Sequence, residues 1–363
     1  MEQTTSPWVS ADTSSSKLPV AKSKRIQALD SIRGLLLLQM TLDHFSGPVS
    51  HVLYQCFGFF SAAEGFFFLS GFVGMLAVIS KTARGEDSSW MRKRSIRIWK
   101  FHIGTIALLA PAAFLFLPKI KPFFSALYAH PVSGSFLIAI LAYLPEWLDV
   151  LPLYCFLLLI GSFVFPWIAK GHLKLAWGIS FAVWILAQGP LRTTALQFFP
   201  GWMNPGFFDL FAWQFVYFTG AACSALWKKE GSPLASPSSF LDRVFPIALI
   251  TCILCFFFSH RFLGNALPSE FWISKEHVGF LRFTNFFAFV GVISYIVRHR
   301  PAWLDFKPCA TLGRHSLEVY TAHTIFVYLW MATPNAVQYH LPFNVLAPIL
   351  CCGLLWIIAK VLD

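Results

Sequence analysis

RIQALDSIRGLLLLQMTLDHFSG, residues 25–47, sets an apolar run behind Arg33 and closes it with Asp43 and His44. About 20 mostly apolar residues in a helix cross the roughly 30 Å of hydrocarbon in a bilayer, so a run of this kind bounded by Lys22, Lys24 and Arg25 predicts a membrane span. Similar runs recur to the end of the 363 residues, which are 56% hydrophobic and only 12% charged, with 40 Phe, 14 Trp and a mean hydropathy of +0.62. Soluble domains carry about 25% charged residues, so the composition excludes an ordinary soluble enzyme. The fold class it predicts is an all-α polytopic integral membrane protein.

Ten spans are predicted, over 30–47, 57–79, 101–118, 151–168, 175–188, 207–227, 244–260, 278–297, 312–332 and 344–361. The apolar stretch 134–147 runs into PEWLDVLP, whose prolines and acids suit an interfacial or re-entrant piece better than a crossing. With the N-terminus inside, twenty Lys and Arg residues fall on the inner side. Only Lys119, Lys121, Arg192, Arg261 and Lys275 fall on the outer side. That bias follows the positive-inside rule and predicts that both termini are cytoplasmic. It also accounts for the net charge of +11 without nucleic acid as a partner. Residues 1–24, rich in Ser and Thr, predict a disordered cytoplasmic tail rather than a signal peptide, leaving 25–363 as one transmembrane domain. The polar loop 228–243 is the one evident linker. The eight cysteines form no CxxC pair and lie mostly in apolar runs, so neither a disulfide framework nor a metal site is expected.

Charged side chains at bilayer depth are costly, about 2.5–3.5 kcal/mol each on insertion scales, so those that persist usually face a cavity or a partner. Arg33 and His44 lie eleven positions apart, which is about three turns and roughly 16 Å along one helix face. Either Arg33 snorkels to the inner interface while Asp43 and His44 end the helix, or the shared face lines something long. Glu64, among Ser61, Ala62, Ala63 and Gly65, should pair with a cation such as Arg33 or be protonated, unless it meets water and a helix end. Arg94 and Arg97 share a face and suit phosphate, though anionic lipid would also attract them. Span nine opens with Arg314, His315 and Glu318 and carries His323 deeper. Asp209, Trp213, Gln214, Arg282 and Asn285 complete the polar set.

ALDSIRGLLLLQMTLDH, GFFSAAEGFFFLSGFVG, LPLY, WQFVYFTG and LGRHSLEVYTAH, in that order between about residues 25 and 325, resemble the OpgC family. Those proteins are succinyltransferases of osmoregulated periplasmic glucans within the transmembrane acyltransferase superfamily, and Arg33, ten residues and then His44 is similar to the signature of that superfamily. The resemblance implies a multi-pass protein of the bacterial inner membrane. It implies acyl transfer from cytosolic acyl-CoA, as donor substrate rather than resident cofactor, to a hydroxyl of a periplasmic glucan or polysaccharide.

On that basis Arg94 and Arg97 would hold the CoA phosphates, and Arg33 the cofactor arm or a carboxylate. Asp43 would fix the tautomer of His44, which would take the proton from the attacking hydroxyl. Glu64 joins His44 and Asp43 among the expected catalytic residues, Gln214 or a backbone amide would serve the oxyanion, and His315 and His323 are further site candidates. An acyl-enzyme on His44 or Ser70 is a second route. Three rivals stand beside this reading. One is an acetyltransferase acting on exopolysaccharide or a lipid-linked sugar, another a transporter of acylated glycans, and the last a membrane scaffold. The lack of an evident internal repeat counts against the transporter.

Overall fold

Apolar runs broken by Gly, Pro and polar clusters fold as helices, and no strand occurs among the described residues. The computed structural model describes residues 27–45, 47–229, 240–262, 264 and 267–363. The predicted tail 1–24 and most of the linker lie outside them. Seventeen α-helices occur among the described residues, and eleven of them frame the core and the site: α1 (Gln27–His44), α2 (Ala62–Thr82), α3 (Ser89–Leu115), α4 (Val150–Trp167), α5 (Leu173–Ala187), α6 (Leu210–Lys229), α7 (Phe240–Ser259), α8 (Phe280–His299), α9 (Lys307–Arg314), α10 (Ser316–Ala332) and α11 (Leu341–Leu362). All but the short α9 stand where a span is predicted. Of these stretches α2, α3, α4 with α5, α7, α8 and α11 are long and apolar enough to cross a membrane. Gly171, at φ 101°, breaks the helix between α4 and α5.

Helix α3 begins twelve residues before the predicted span, so the basic cluster 92–100 is helical. Met91, Ser95, Ile98, His102 and Thr105 form its buried stripe, a 3.6-residue period that the exposed Arg and Lys between them conceal. The helix Pro131–Ala139, in the stretch expected to be interfacial, has nine residues, too few to cross.

Two helix pairs cross backbone to backbone, each through reciprocal glycines. A Cβ on Gly71 of α2 would overlap the Tyr217 carbonyl, and one on Gly220 of α6 the Phe68 carbonyl. In the same way Gly34 of α1 meets Cys309 and Gly313 of α9 meets Asp30. Small residues permit this approach where lipid gives helices no hydrophobic drive to associate. Phe67, Trp213, Tyr217 and Phe165 fill the core behind α2 and α6. Ile250, Ile253, Leu350 and Leu354 project outward from α7 and α11, an apolar exterior suited to lipid.

Candidate functional site

The C-terminal end of α1, the start of α2, the segment 145–150 and the loops at 204–208 and 275–276 enclose a cavity of about 680 Å³, which Tyr320 of α10 also lines. His44 reaches it from the last turn of α1. Its Nδ1 meets the Met40 carbonyl one turn back, which only accepts, so Nδ1 carries the proton and Nε2 keeps the lone pair. The ring packs edge-on against His323 and Trp147, at 5.2 and 5.4 Å between centroids. Trp147 holds φ at 67°, in the left-handed region that disfavours a bulky residue, a strain of the kind that collects at functional sites.

The tautomer is therefore fixed by Met40 and not by Asp43, as the adjacency in sequence suggested. Neighbouring positions on a helix diverge by about 100°, and Asp43 turns to another part of the cavity, where its Oδ1 is buried without a hydrogen bond. His323, 4% exposed, leaves Nδ1 without a partner.

Glu64 sits under the cavity wall rather than in it. Its Oε1 accepts from Arg282 Nε in a fully buried ion pair, and its Oε2 accepts from the Ser61 backbone N–H at 3.0 Å and hydroxyl at 2.9 Å. The expected partner, Arg33, lies 3.9 Å from Asp30 on its own helix. Asn285, also on α8, accepts from the Phe59 N–H at 2.7 Å, where Gly58 at φ 124° leaves no room for a Cβ. The two α8 side chains thus moor the start of α2. Ser61, Ala62 and Ala63 line the cavity there, and backbone N–H groups of a helix's first turn lack partners within the helix.

Aromatic faces and carboxylates make up most of the remaining wall. Tyr54, Phe207, Phe208 and Tyr320 stand with Glu146, Asp149 and Glu276. Asp149 accepts from the Phe207 N–H at 2.8 Å, and burial raises its carboxyl above the usual range against that bond. Lys275 places its ammonium over Tyr54 and Phe208, at 5.3 and 6.0 Å from the ring centroids. Burial and the Arg282 guanidinium lower its pKa, while Glu64, Asp43 and Asp149 oppose the fall.

The other predicted site residues are elsewhere. Leu37, Met40 and Thr41, between Arg33 and His44 on α1, are buried at 4% exposure or less, and α9 presses on Gly34, so that face is packed at its Arg33 end and meets the cavity at Met40 and His44. Gln214 is spent on structure: it donates to the Ser180 and Phe211 carbonyls and accepts from the Ser180 hydroxyl, which removes it as an oxyanion donor. His315 lies 3.4 Å from Asp363, about 12 Å before His323 at the start of α10, and does not line the cavity. Arg94 and Arg97 sit in the first turns of α3, Arg94 over the Tyr154 ring at 6.0 Å and Arg97 paired with Glu318 at 2.5 Å.

Trp147, Asp149, Lys275 and Tyr320 are cavity residues that sequence reasoning missed. Lys275 left a signal, as one of the few basic residues on the predicted outer side. A comparison with curated proteins finds no match. The family description of OpgC protein matches residues 25–363, nearly the whole described chain, so the protein belongs to the OpgC family.

Proposed function

We propose that the protein transfers a succinyl group from cytosolic acyl-CoA to a hydroxyl of a periplasmic glucan, in the bacterial inner membrane, through ten spans with both termini cytoplasmic. Membership of the OpgC family makes it a glucan-modifying membrane protein and a transferase of the acyltransferase type. The donor, the acyl group and the orientation are the proposal. The observation that carries it is His44, its Nε2 left unprotonated and its ring lining a cavity walled by aromatic rings and carboxylates. Aromatic faces stack on sugar rings and carboxylates accept from sugar hydroxyls, so the wall suits a carbohydrate acceptor.

His44 Nε2 takes the proton as a sugar oxygen attacks the thioester carbonyl. The tetrahedral oxyanion meets the N–H groups at the start of α2, in place of Gln214. Collapse breaks the C–S bond, and the thiolate takes the proton back from His44, leaving ester and free CoA. Incubating purified protein with a glucan and either succinyl-CoA or acetyl-CoA tests this by CoA release. Release with succinyl-CoA is expected, with His44→Ala slower by about 10²–10⁴. No release from either donor, or undiminished release in the variant, refutes it; release from acetyl-CoA alone changes the acyl group to acetyl.

A further inference from the structure

Among the described residues, Lys275 is the one lysine or arginine that lines the cavity holding His44. Its position is fixed through the backbone of its own segment. Trp213 donates its indole N–H to the Lys275 and Glu276 carbonyls, both at 3.1 Å. Gln188 donates to the His277 carbonyl at 2.8 Å and Trp184 to that of Val278 at 2.9 Å, while His277 Nδ1 meets Asp209 at 3.0 Å. Four successive carbonyls are therefore each bonded to a side chain, on a connection of the kind that is ordinarily mobile. Such anchoring suits a residue that must present its head group in one place.

The ammonium itself is left open. It stands over the Tyr54 and Phe208 rings, and among the described residues no carboxylate lies within 4 Å of it and no acceptor takes its N–H groups. The nearby carboxylates have partners of their own: Glu276 has Arg192, Glu64 has Arg282, and Asp149 has the Phe207 N–H. Burial and the Arg282 guanidinium disfavour the charge on Lys275, and an incoming anion would restore it. An ammonium with free donors, facing a cavity, binds an anionic group through charge-assisted hydrogen bonds.

We propose that Lys275 selects the acyl group by binding the free carboxylate at the far end of a succinyl chain. His44 lines the same cavity, close enough for the charge of Lys275 to act on it, so one thioester can present its carbonyl to the hydroxyl that His44 deprotonates and its carboxylate to Lys275. Lys275 is a specificity residue; it touches the substrate but no reacting atom. A purely apolar pocket separates acyl chains by only about 1–3 kcal/mol per methylene, whereas a polar group that the wrong chain leaves unpaired rejects it more strongly. This rests on the succinyl-CoA donor proposed above.

Butyryl-CoA has the same four-carbon chain and thioester, with a methyl group in place of the carboxylate. Purified full-length protein, given a glucan and either donor, reads the proposal as the ratio of kcat/KM for succinyl-CoA to that for butyryl-CoA, which does not depend on the folded fraction of a variant. The wild type is expected to favour succinyl-CoA. In Lys275→Met the ratio is expected to fall by about 10- to 100-fold, the size of a hydrogen bond to a charged group, with Lys275→Arg retaining most of it. An unchanged ratio in Lys275→Met, including equal loss with both donors, overturns the role of Lys275 alone. A wild-type protein that uses succinyl-CoA no better than butyryl-CoA overturns the succinyl donor, and the role of Lys275 with it.

Discussion

His44 and Glu64 are both ionisable residues near one cavity, and their partners give them opposite work. The Met40 carbonyl occupies one nitrogen of His44 and leaves the other basic. Both oxygens of Glu64 are engaged, so it acts as the counter-charge that joins α2 to α8 through Arg282. Removing one member of such a buried pair strands a charge, at about 3–5 kcal/mol, whereas replacing both removes the stranded charge as well as the pair. Arg282→Met should therefore lower the thermal midpoint of the purified protein sharply, and the double variant Glu64→Gln/Arg282→Met should recover most of the loss. Intrinsic fluorescence during heating reads both. A double variant no more stable than Arg282→Met would mean that the pair's charge is not what the fold answers to.

Among the helices, α2 carries the site because both of its sides are held. Its N-terminal turn is moored by Arg282 and Asn285, and its midpoint crosses α6 at Gly71 and Gly220. A methyl group at Gly71 must push the two backbones apart, with no flexible side chain to yield. Gly178 on α5 has nothing within 4 Å of the same position, so it serves as the control. Gly71→Ala is expected to lower the melting temperature and the folded yield. Gly178→Ala should be neutral or gain up to about 1 kcal/mol from helix propensity. Similar behaviour of the two would refute the close crossing.

The positions of these helices were legible in the sequence because each apolar run is long and ends at Gly, Pro or charge. The early start of α3 was not, since Arg92, Arg94 and Arg97 interrupt the apolar stripe that continues beneath them. Of the site, His44, Asp43 and His323 stood out as polar residues in apolar runs. Glu64 was matched to the wrong cation because sequence names the cations without saying which neighbouring helix presents one. Lys275, Trp147 and Asp149 lie on connections, and only packing across long separations, such as Lys275 over Tyr54, brings them to the cavity.

At the scale of the molecule, the Arg97–Glu318 pair stands in the first turn of α10, and His323, which packs on His44, lies about 8 Å further along it. The proposed inside donor and outside acceptor require one direction through the membrane, and the distribution of Lys and Arg predicts that direction. The assignment is testable without any chemistry of transfer. Phe198, 87% exposed on the connection between α5 and α6, should face the periplasm, while Gly85, exposed between α2 and α3, should face the cytosol. Intact spheroplasts carrying Phe198→Cys or Gly85→Cys, treated with an impermeant maleimide against the wild-type background of eight cysteines, read the two sides. Added labelling is expected for Phe198→Cys in intact cells, and for Gly85→Cys only after the membrane is opened. The reverse pattern would place His44 on the cytosolic side, where it would meet the donor and never a periplasmic sugar.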